Sequence, residues 1–288
     1  MDSGWEEIAE ALGWHGASLE RLGGGCINES TLLVSSRRGR IFVKRNAVAK
    51  VAMFEAEAAA LTELAATRTI RVPEVLGIGT AGPFAYLALE ALDLRPARTD
   101  GEFREMGRRL ARLHRVTSPN GQYGWHRDNV IGETPQPNGW LDSWPAFFAE
   151  CRLGFQFELA AARGRVFREA ERLIERIPSF FDGDEPPPSL LHGDWWSGNA
   201  AVTRDGGEPV IFDPATYYGD RETDLAFSRL FGGFGPAFYA GYEAEWPLPE
   251  GAEKRVELYN LYHVLNHGHL FGGGYDAQAQ GMIEQLLR

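Results

Sequence analysis

Residues 192–213 constrain this chain more than any other stretch. They read H-G-D-W-W-S-G-N, a short run, an Asp-Gly-Gly segment at residues 205–207, and a second run ending Ile211-Phe212-Asp213. Such a turn segment between two apolar runs signals a β-hairpin. Reflecting the chain about Gly206 sets Asn199 opposite Asp213, so a two-stranded ribbon would deliver an amide oxygen and a carboxylate to one end. Oxygen ligands converging in this way suit a hard cation such as Mg2+, held by one or two protein groups together with phosphates. Asp194 stands five residues before Asn199. Kinase-like phosphoryl-transfer sites use that separation for an acid that orients the acceptor hydroxyl and an amide that holds the metal. A capped turn with solvated acids would need the hairpin but not all three residues at both spacings.

A chain of 288 residues forms one large domain or two lobes. Its formal net charge of −11 argues against a nucleic-acid partner, which requires a basic footprint. Two cysteines, Cys26 and Cys151, do not make a disulfide framework. Residues 1–13 are acidic and lack an apolar run of signal-peptide type, and no segment approaches membrane-spanning length. A cytoplasmic protein with no membrane partner is the expectation.

Residues 1–92 read as strands around one helix, and 93–288 as mostly helical. Strands are expected at 19–22 and 30–34 around a glycine run, at 40–44 after a turn at 36–39, and at 86–92. A long Ala/Glu-rich helix is expected over 47–66. From Gly101, apolar residues Phe103, Met106, Leu110 and Leu113 recur at helical steps. A further helical region spans 144–177, and Pro186-Pro187-Pro188 marks a loop before the H-G-D segment. The fold class is therefore α+β, with a small sheet-rich lobe, a connector and a larger helical lobe.

Gly23-Gly24-Gly25-Cys26 falls between two expected strands. Consecutive glycines let backbone amides approach phosphates, although many hairpins contain glycines for other reasons. Lys44 ends the run Ile41-Phe42-Val43-Lys44, where a lysine is ordinarily solvated. On the next helix Phe54, Glu57, Leu61 and Leu64 share one apolar arc, with Glu55 and Glu63 pointing away. A carboxylate on a buried face needs a cation. Lys44 is the nearest upstream candidate, and a strand Lys with a helix Glu positions ATP phosphates in kinase-like folds. Arg45 or Arg68 could meet Glu57 instead, for structural reasons alone.

These residues resemble the fructosamine/ketosamine-3-kinase family, a branch of the aminoglycoside-phosphotransferase and choline-kinase-like superfamily. The resemblance runs through G-G-G-C-I-N at 23–28, F-V-K-R-N at 42–46 and M-F-E-A-E-A at 53–58. It continues through N-V-I-G-E-T-P-Q at 129–136, H-G-D-W-W-S-G-N at 192–199, F-D-P-A-T-Y-Y-G-D-R-E-T-D-L-A at 212–226 and L-Y-H-V-L-N-H at 261–267. It implies a bilobal protein-kinase-like fold and ATP-dependent phosphorylation of the 3-hydroxyl of a ketosamine, a deglycation repair activity on small ketosamines or glycated amines and proteins. Carried over, Asp194 is the catalytic acid and Asn199 and Asp213 the Mg2+ ligands. Lys44 binds ATP phosphates with Glu57 as partner, alongside the loop of Gly23, Gly24, Gly25 and Cys26. The backbone from Glu90 to Leu92 holds adenine. Trp196, Tyr217, Asp220 and Arg221 form the acceptor side. Trp195 departs from the family pattern, where a smaller aliphatic residue or Phe is expected, and is expected to reshape the acceptor pocket slightly.

Three histidines, His263, His267 and His269, invite a zinc reading, but no cysteine or carboxylate lies nearby in sequence. They are read as structural, as is His114, while His192 braces the loop. Asp224 is expected to cap a helix or anchor the 192–194 segment. Cys26 is either a redox-sensitive thiol or an inert one. Two other functions compete: a kinase for another hydroxyl, such as an aminoglycoside or amino alcohol, and a non-catalytic nucleotide-binding regulator. A regulator has no use for Asp194, and a protein kinase would carry an activation segment ending Ala-Pro-Glu, which is missing.

Overall fold

The computed structural model describes residues 3–21, 28–183 and 185–288. It divides into two compact units, Met1–Ala97 with Ala201–Asp213, and Arg98–Ala200 with Pro214–Arg288.

The first unit is built on a five-stranded antiparallel sheet of β1 (Ser18–Arg21), β2 (Glu29–Ser35), β3 (Gly39–Ala47), β4 (Val75–Ala81) and β5 (Phe84–Glu90), in the order β1-β2-β3-β5-β4. Alternation along β3 sends residues to two faces. Ile41 and Val43 are buried against Trp5, Ile8 and Ala9 of α1 (Ser3–Ala11). Arg45 follows on that face, its guanidinium 4.2 Å from the Trp5 ring centre, 4.4 Å from that of Phe84 and 2.7 Å from Glu29. Lys44 takes the other face, toward α2 (Val51–Thr67), which follows a 3-10 turn at Val48–Lys50. Helix α1 departs from the expectation of a single helix in this region. The acidic character of residues 1–13 obscures an apolar stripe of Trp5, Ile8, Ala9 and Leu12 at helical spacing, which covers the second sheet face.

A later part of the chain returns to this unit. β10 (Ala200–Thr203) lies between β11 (Pro209–Ile211) and β6 (Leu94–Arg95) in a three-stranded sheet. Val202 pairs with Arg95 and Thr203 with Leu94, and Arg71 bridges to Val210. These main-chain bonds explain why the compact units differ from contiguous 1–92 and 93–288 lobes: residues 93–97 and the hairpin 201–213 are tied to the sheet-rich part. The hairpin expected from sequence forms, with a different register. Thr203 N donates to Glu208 O at 2.9 Å while Thr203 O accepts from Gly207 N at 3.1 Å, so two residues face Thr203. The turn thus centres between Asp205 and Gly206, not on Gly206, and Asp213 lies two residues beyond β11 with a left-handed φ of 57°.

The second unit is mainly helical. α3 (Asp100–His114) opens with a capping box, Thr99 Oγ1 accepting from Glu102 N and the Glu102 carboxylate from Thr99 N. It crosses α8 (Pro236–Glu245) at backbone contact. A Cβ on Gly107 would lie 2.1 Å from Phe238 O, and one on Gly241 would lie 2.2 Å from Arg104 O. A short hairpin joins β7 (Asn129–Ile131) and β8 (Thr134–Gln136). The single helical region expected over 144–177 is instead broken. α4 (Trp144–Phe147) passes through a π-helical stretch (Phe148–Gly154) into α5 (Phe155–Ala162), and α6 (Ala170–Arg176) starts only after Glu169 takes a left-handed φ of 60°. β9 (Ser189–Leu190) pairs with β12 (Tyr218–Gly219), bringing residues 191–194 beside 214–217. α7 (Glu222–Leu230), α9 (Ala252–Phe271) and α10 (Tyr275–Leu286) complete the unit. Among the described residues, no helix is long and apolar enough to cross a membrane.

Candidate active site

In the sheet-rich unit, Lys44 is the centre of a charge cluster. Its Nζ lies 2.6 Å from Glu57 Oε1 and 2.6 Å from Asp213 Oδ1. β3 aims Lys44 at the face of α2 that carries Glu57, whereas Glu55 is exposed. Arg45, the alternative partner, turns to the opposite face and pairs with Glu29. Burial alone would pull the Lys44 ammonium down, but the Glu57 and Asp213 carboxylates outweigh it and hold it above the ordinary lysine range. Burial pushes Glu57 up and Asp213 adds to that, with Lys44 opposing. The charged lysine is the direction that stands, because two short N–O contacts favour the ammonium. The Asp213 side chain remains 48% exposed, so the cluster opens on its carboxylate. No local pattern announces the contact between Lys44 and Asp213, since 169 positions separate them. The hairpin and the left-handed turn at Asp213 make it.

In the helical unit, residues 192–199 are held by backbone bonds. Leu191 N donates to Tyr217 O at 3.0 Å and Ala215 N to His192 O at 2.9 Å. Gly193 has a φ of 81°, and a Cβ there would lie 2.0 Å from Ala215 O, so both conformation and space demand glycine. The buried Asp224 carboxylate accepts from His192 N at 2.8 Å and Gly193 N at 2.9 Å. It anchors the loop from α7, as expected. Asn199, at the end of a 3-10 turn (Ser197–Asn199), donates its Nδ2 to both Asp194 O at 2.9 Å and Asp194 Oδ2 at 2.8 Å. That bond pair orients the Asp194 carboxylate and turns the Asn199 amide oxygen away from it.

The remaining expected site residues divide sharply. Trp196 is 38% exposed and packs over Gly198. Tyr217, Asp220 and Arg221 are buried within the helical unit. Tyr217 stacks under the Arg152 guanidinium at 3.9 Å, and Asp220 accepts from Tyr259 OH at 2.5 Å and Glu222 N at 3.0 Å. Arg221 donates to Trp246 O, Pro247 O and Tyr242 OH. All three are held by contacts inside the helical unit. Trp195 is fully buried against Phe234 and Phe238, so its bulk fills the core below the loop and does not reshape an acceptor pocket. Glu90 ends β5, donates its amide to Glu74 O and binds Arg71 at 2.8 Å, and half-buried Leu92 follows. Gly23, Gly24, Gly25 and Cys26 lie outside the described residues. His263 stacks on Phe227 with ring centres 3.6 Å apart, and His267 Nδ1 contacts His263 O. Among the described residues no cluster of three or more His, Cys, Asp or Glu side chains could hold a metal.

A family model described as fructosamine kinase matches residues 6–288. The probable ketoamine kinase of Synechocystis is 47% identical over 285 residues, covering 98% of this chain and 95% of its own. The chloroplastic protein-ribulosamine 3-kinase of Oryza sativa subsp. indica is 42% identical, with 93% of this chain and 78% of the relative covered. A crystal structure of a candidate fructosamine-3-kinase from Haemophilus somnus superposes with a TM-score of 0.90 at 33% identity, over 99% of each chain. The streptomycin–ATP–APH(2″)-IIa complex, at 14% identity and a TM-score of 0.60 over 99% of this chain and 96% of that one, shares the fold alone. The kinase-like α+β fold and the motifs that span the chain thus agree with its relatives, and the chain belongs to the fructosamine kinase family.

Proposed function

We propose that this chain is a kinase that uses ATP and Mg2+ to phosphorylate the 3-hydroxyl of ketosamines of the fructosamine or ribulosamine type. The observation that carries this reading is the sharing of one buried lysine by Glu57 and Asp213 at 2.6 Å each. A lysine so held presents fixed positive charge to phosphate oxygens, and Glu57 keeps it from swinging away. Asp194 orients the acceptor hydroxyl and takes its proton as the O–P bond forms. The donor set fits a hard cation: the Asn199 amide hydrogens are occupied by Asp194, which leaves an oxygen as its free donor atom, and the Asp213 carboxylate is half-exposed. A metal held by such oxygen donors would neutralise charge on the transferring group.

Two features support an acceptor that is a ketosamine and not another hydroxyl compound: membership in this family across nearly the whole chain, and relatives named as ketoamine and protein-ribulosamine kinases. Small ketosamines and glycated amines or proteins are the partners, in the cytoplasm, with neither nucleic acid nor membrane involved. An ADP-release assay across synthetic fructosamines, ribulosamines, aminoglycosides and choline tests the reading, with 31P NMR locating the phosphate. Turnover confined to ketosamines, with phosphate on the 3-oxygen, is the expected result. Turnover of aminoglycosides or choline alone would overturn it.

A further inference from the structure

Behind the loop that carries Asp194 lies a fully buried side-chain chain that the proposed reaction leaves unused. His114, at the last turn of α3, is 0% exposed. Its Nε2 is 3.1 Å from Asp224 Oδ2 and its Nδ1 is 2.8 Å from Tyr242 OH on α8. Arg221 Nη1 in turn donates to the Tyr242 oxygen at 3.2 Å. The far end is fixed by the Asp224 carboxylate, which accepts the amides of His192 and Gly193.

The Asp224 carboxylate can only accept, so Nε2 carries a hydrogen. An arginine is always a donor, so the Tyr242 oxygen accepts from it and spends its own proton on the next atom, His114 Nδ1. Nδ1 is therefore the lone-pair nitrogen, and Nε2 carries the hydrogen that Asp224 accepts. The reverse tautomer would set the Nε2 lone pair against a carboxylate oxygen. An imidazolium would take away the lone pair that receives the Tyr242 hydroxyl proton. Burial also pulls the His114 pKa down, with Asp224 opposing and Arg221 adding to the pull, which agrees with the neutral ring. The Gly193 amide takes Oδ1, whereas the His192 amide and His114 Nε2 share Oδ2, so without His114 the oxygen that holds the His192 amide would lose its second donor and its side-chain brace inside the core.

We propose that His114 is a positioning residue for phosphoryl transfer: as a neutral Nε2–H imidazole it locks the Asp224 carboxylate, and through it the 192–193 backbone that presents Asp194. The proposal depends on the reading of Asp194 as the acceptor-side acid. His114 has no part in holding nucleotide, so its loss acts on turnover rather than on ATP affinity.

Two near-isosteres separate this role from simple packing. In His114→Gln the side-chain amide nitrogen reaches the Nε2 position and still donates to Asp224. In His114→Asn the side chain reaches only the Nδ1 position and serves Tyr242 alone. With the full-length chain, a synthetic fructosamine and ATP, His114→Asn is expected to lower kcat per folded molecule by about 10-fold or more with KM for ATP within about 2-fold, the scale seen when supporting partners of a site are removed. His114→Gln should recover most of the loss. Equal losses in the two variants, or full kcat in His114→Asn, would overturn the proposal. If His114→Asn does not fold, long-range 1H–15N correlation of the histidine ring in the wild-type chain still decides: a neutral Nε2–H ring is expected near neutral pH, and an Nδ1–H tautomer or an imidazolium would contradict it. If the wild-type chain phosphorylates no ketosamine, the functional reading fails, while the ring measurement continues to test the geometry of His114.

Discussion

Both units bury carboxylates beside the candidate chemistry, and they compensate them differently. In the sheet-rich unit buried Glu57, together with half-exposed Asp213, meets a cation, Lys44, at 2.6 Å each. In the helical unit Asp224 meets two backbone amides and a neutral imidazole, and Asp220 meets a tyrosine hydroxyl and an amide. Coulombic pairing is strong but tolerant of direction, so it suits a group that must follow a bound phosphate. Hydrogen bonds from amides fix direction and carry no mobile charge, so they suit a loop whose acid must be held in a single orientation. The two solutions predict different failures when one member is removed.

The largest effects are expected where each solution meets the reaction. Asp194→Asn should lower kcat by about 100-fold or more, roughly 2.7 kcal/mol of transition-state stabilisation, with ATP affinity little changed. Steady-state kinetics on the folded variant checks this, and near-normal turnover would remove Asp194 from its role. Asp213→Ala acts on the other side of the comparison. It should abolish the magnesium-dependent part of nucleotide binding, measured calorimetrically with a non-hydrolysable ATP analogue with and without Mg2+. Unchanged metal dependence would dissociate the Lys44 cluster from the metal.

A smaller effect distinguishes two acids on one helix. Glu57→Gln should raise KM for ATP and lower kcat, while Glu55→Gln, on the exposed side of α2, should do little. Breaking a buried pair typically costs about 3–5 kcal/mol because a charge is stranded. Here Asp213 still faces Lys44, so a stability loss nearer ~1–2 kcal/mol is expected by that measure, against less than about 0.5 kcal/mol at Glu55. Thermal unfolding and ATP titration of both variants make the comparison, and equal responses would mean that Lys44 does not need its helix partner.

The same contrast explains what is legible in the sequence. Cation-compensated acids are: Glu57 stands out as a charge on an apolar helical arc, and Lys44 as the cation upstream of it. The 192–199 motif likewise marks Asp194 and Asn199, which the structure joins through the Asn199 amide. Acids compensated by neutral donors are less so. The anchoring role of Asp224 is expected from its place in the chain, but its side-chain partner His114 comes from α3, is itself held by Tyr242 of α8, and leaves no local pattern. Tyr217, Asp220 and Arg221 sit in a conspicuous motif, but Arg152, Tyr259 and the 246–247 carbonyls that hold them come from outside it. Helix α1 hides for a different reason: its charged residues fill the solvent face and its apolar stripe is short.

The last effect is a pH dependence of the buried acid in the helical unit. Asp220 is fully buried, and burial raises its pKa to about 7, with the neighbouring Glu222 adding and the Glu222 amide, Tyr259 and Arg255 opposing. A carboxyl whose folded pKa lies above its unfolded value of 3.8 holds its proton longer in the fold than in the unfolded chain. Below that unfolded value both states are protonated and Asp220 contributes nothing. As pH rises toward 7 the unfolded chain releases the proton first, so stability falls across that window, and above it the full cost of a buried charge is present. Stability falls by at most about 1.4 kcal/mol for every pH unit inside the window, so the part between about pH 5 and 7 carries about 2–3 kcal/mol. Other buried groups titrate nearby, and the lowered histidines act in the opposite direction, so the wild-type curve alone is not diagnostic. The difference between Asp220→Asn and wild type isolates the effect. Urea unfolding from about pH 5 to 8 at constant ionic strength should show the variant gaining on the wild type by about that amount, because an amide carries no titrating proton and still accepts from the Glu222 amide. Parallel curves would mean that Tyr259 and Arg255 hold the charge as effectively as Lys44 holds Glu57, and the contrast between the two units would lose its electrostatic basis.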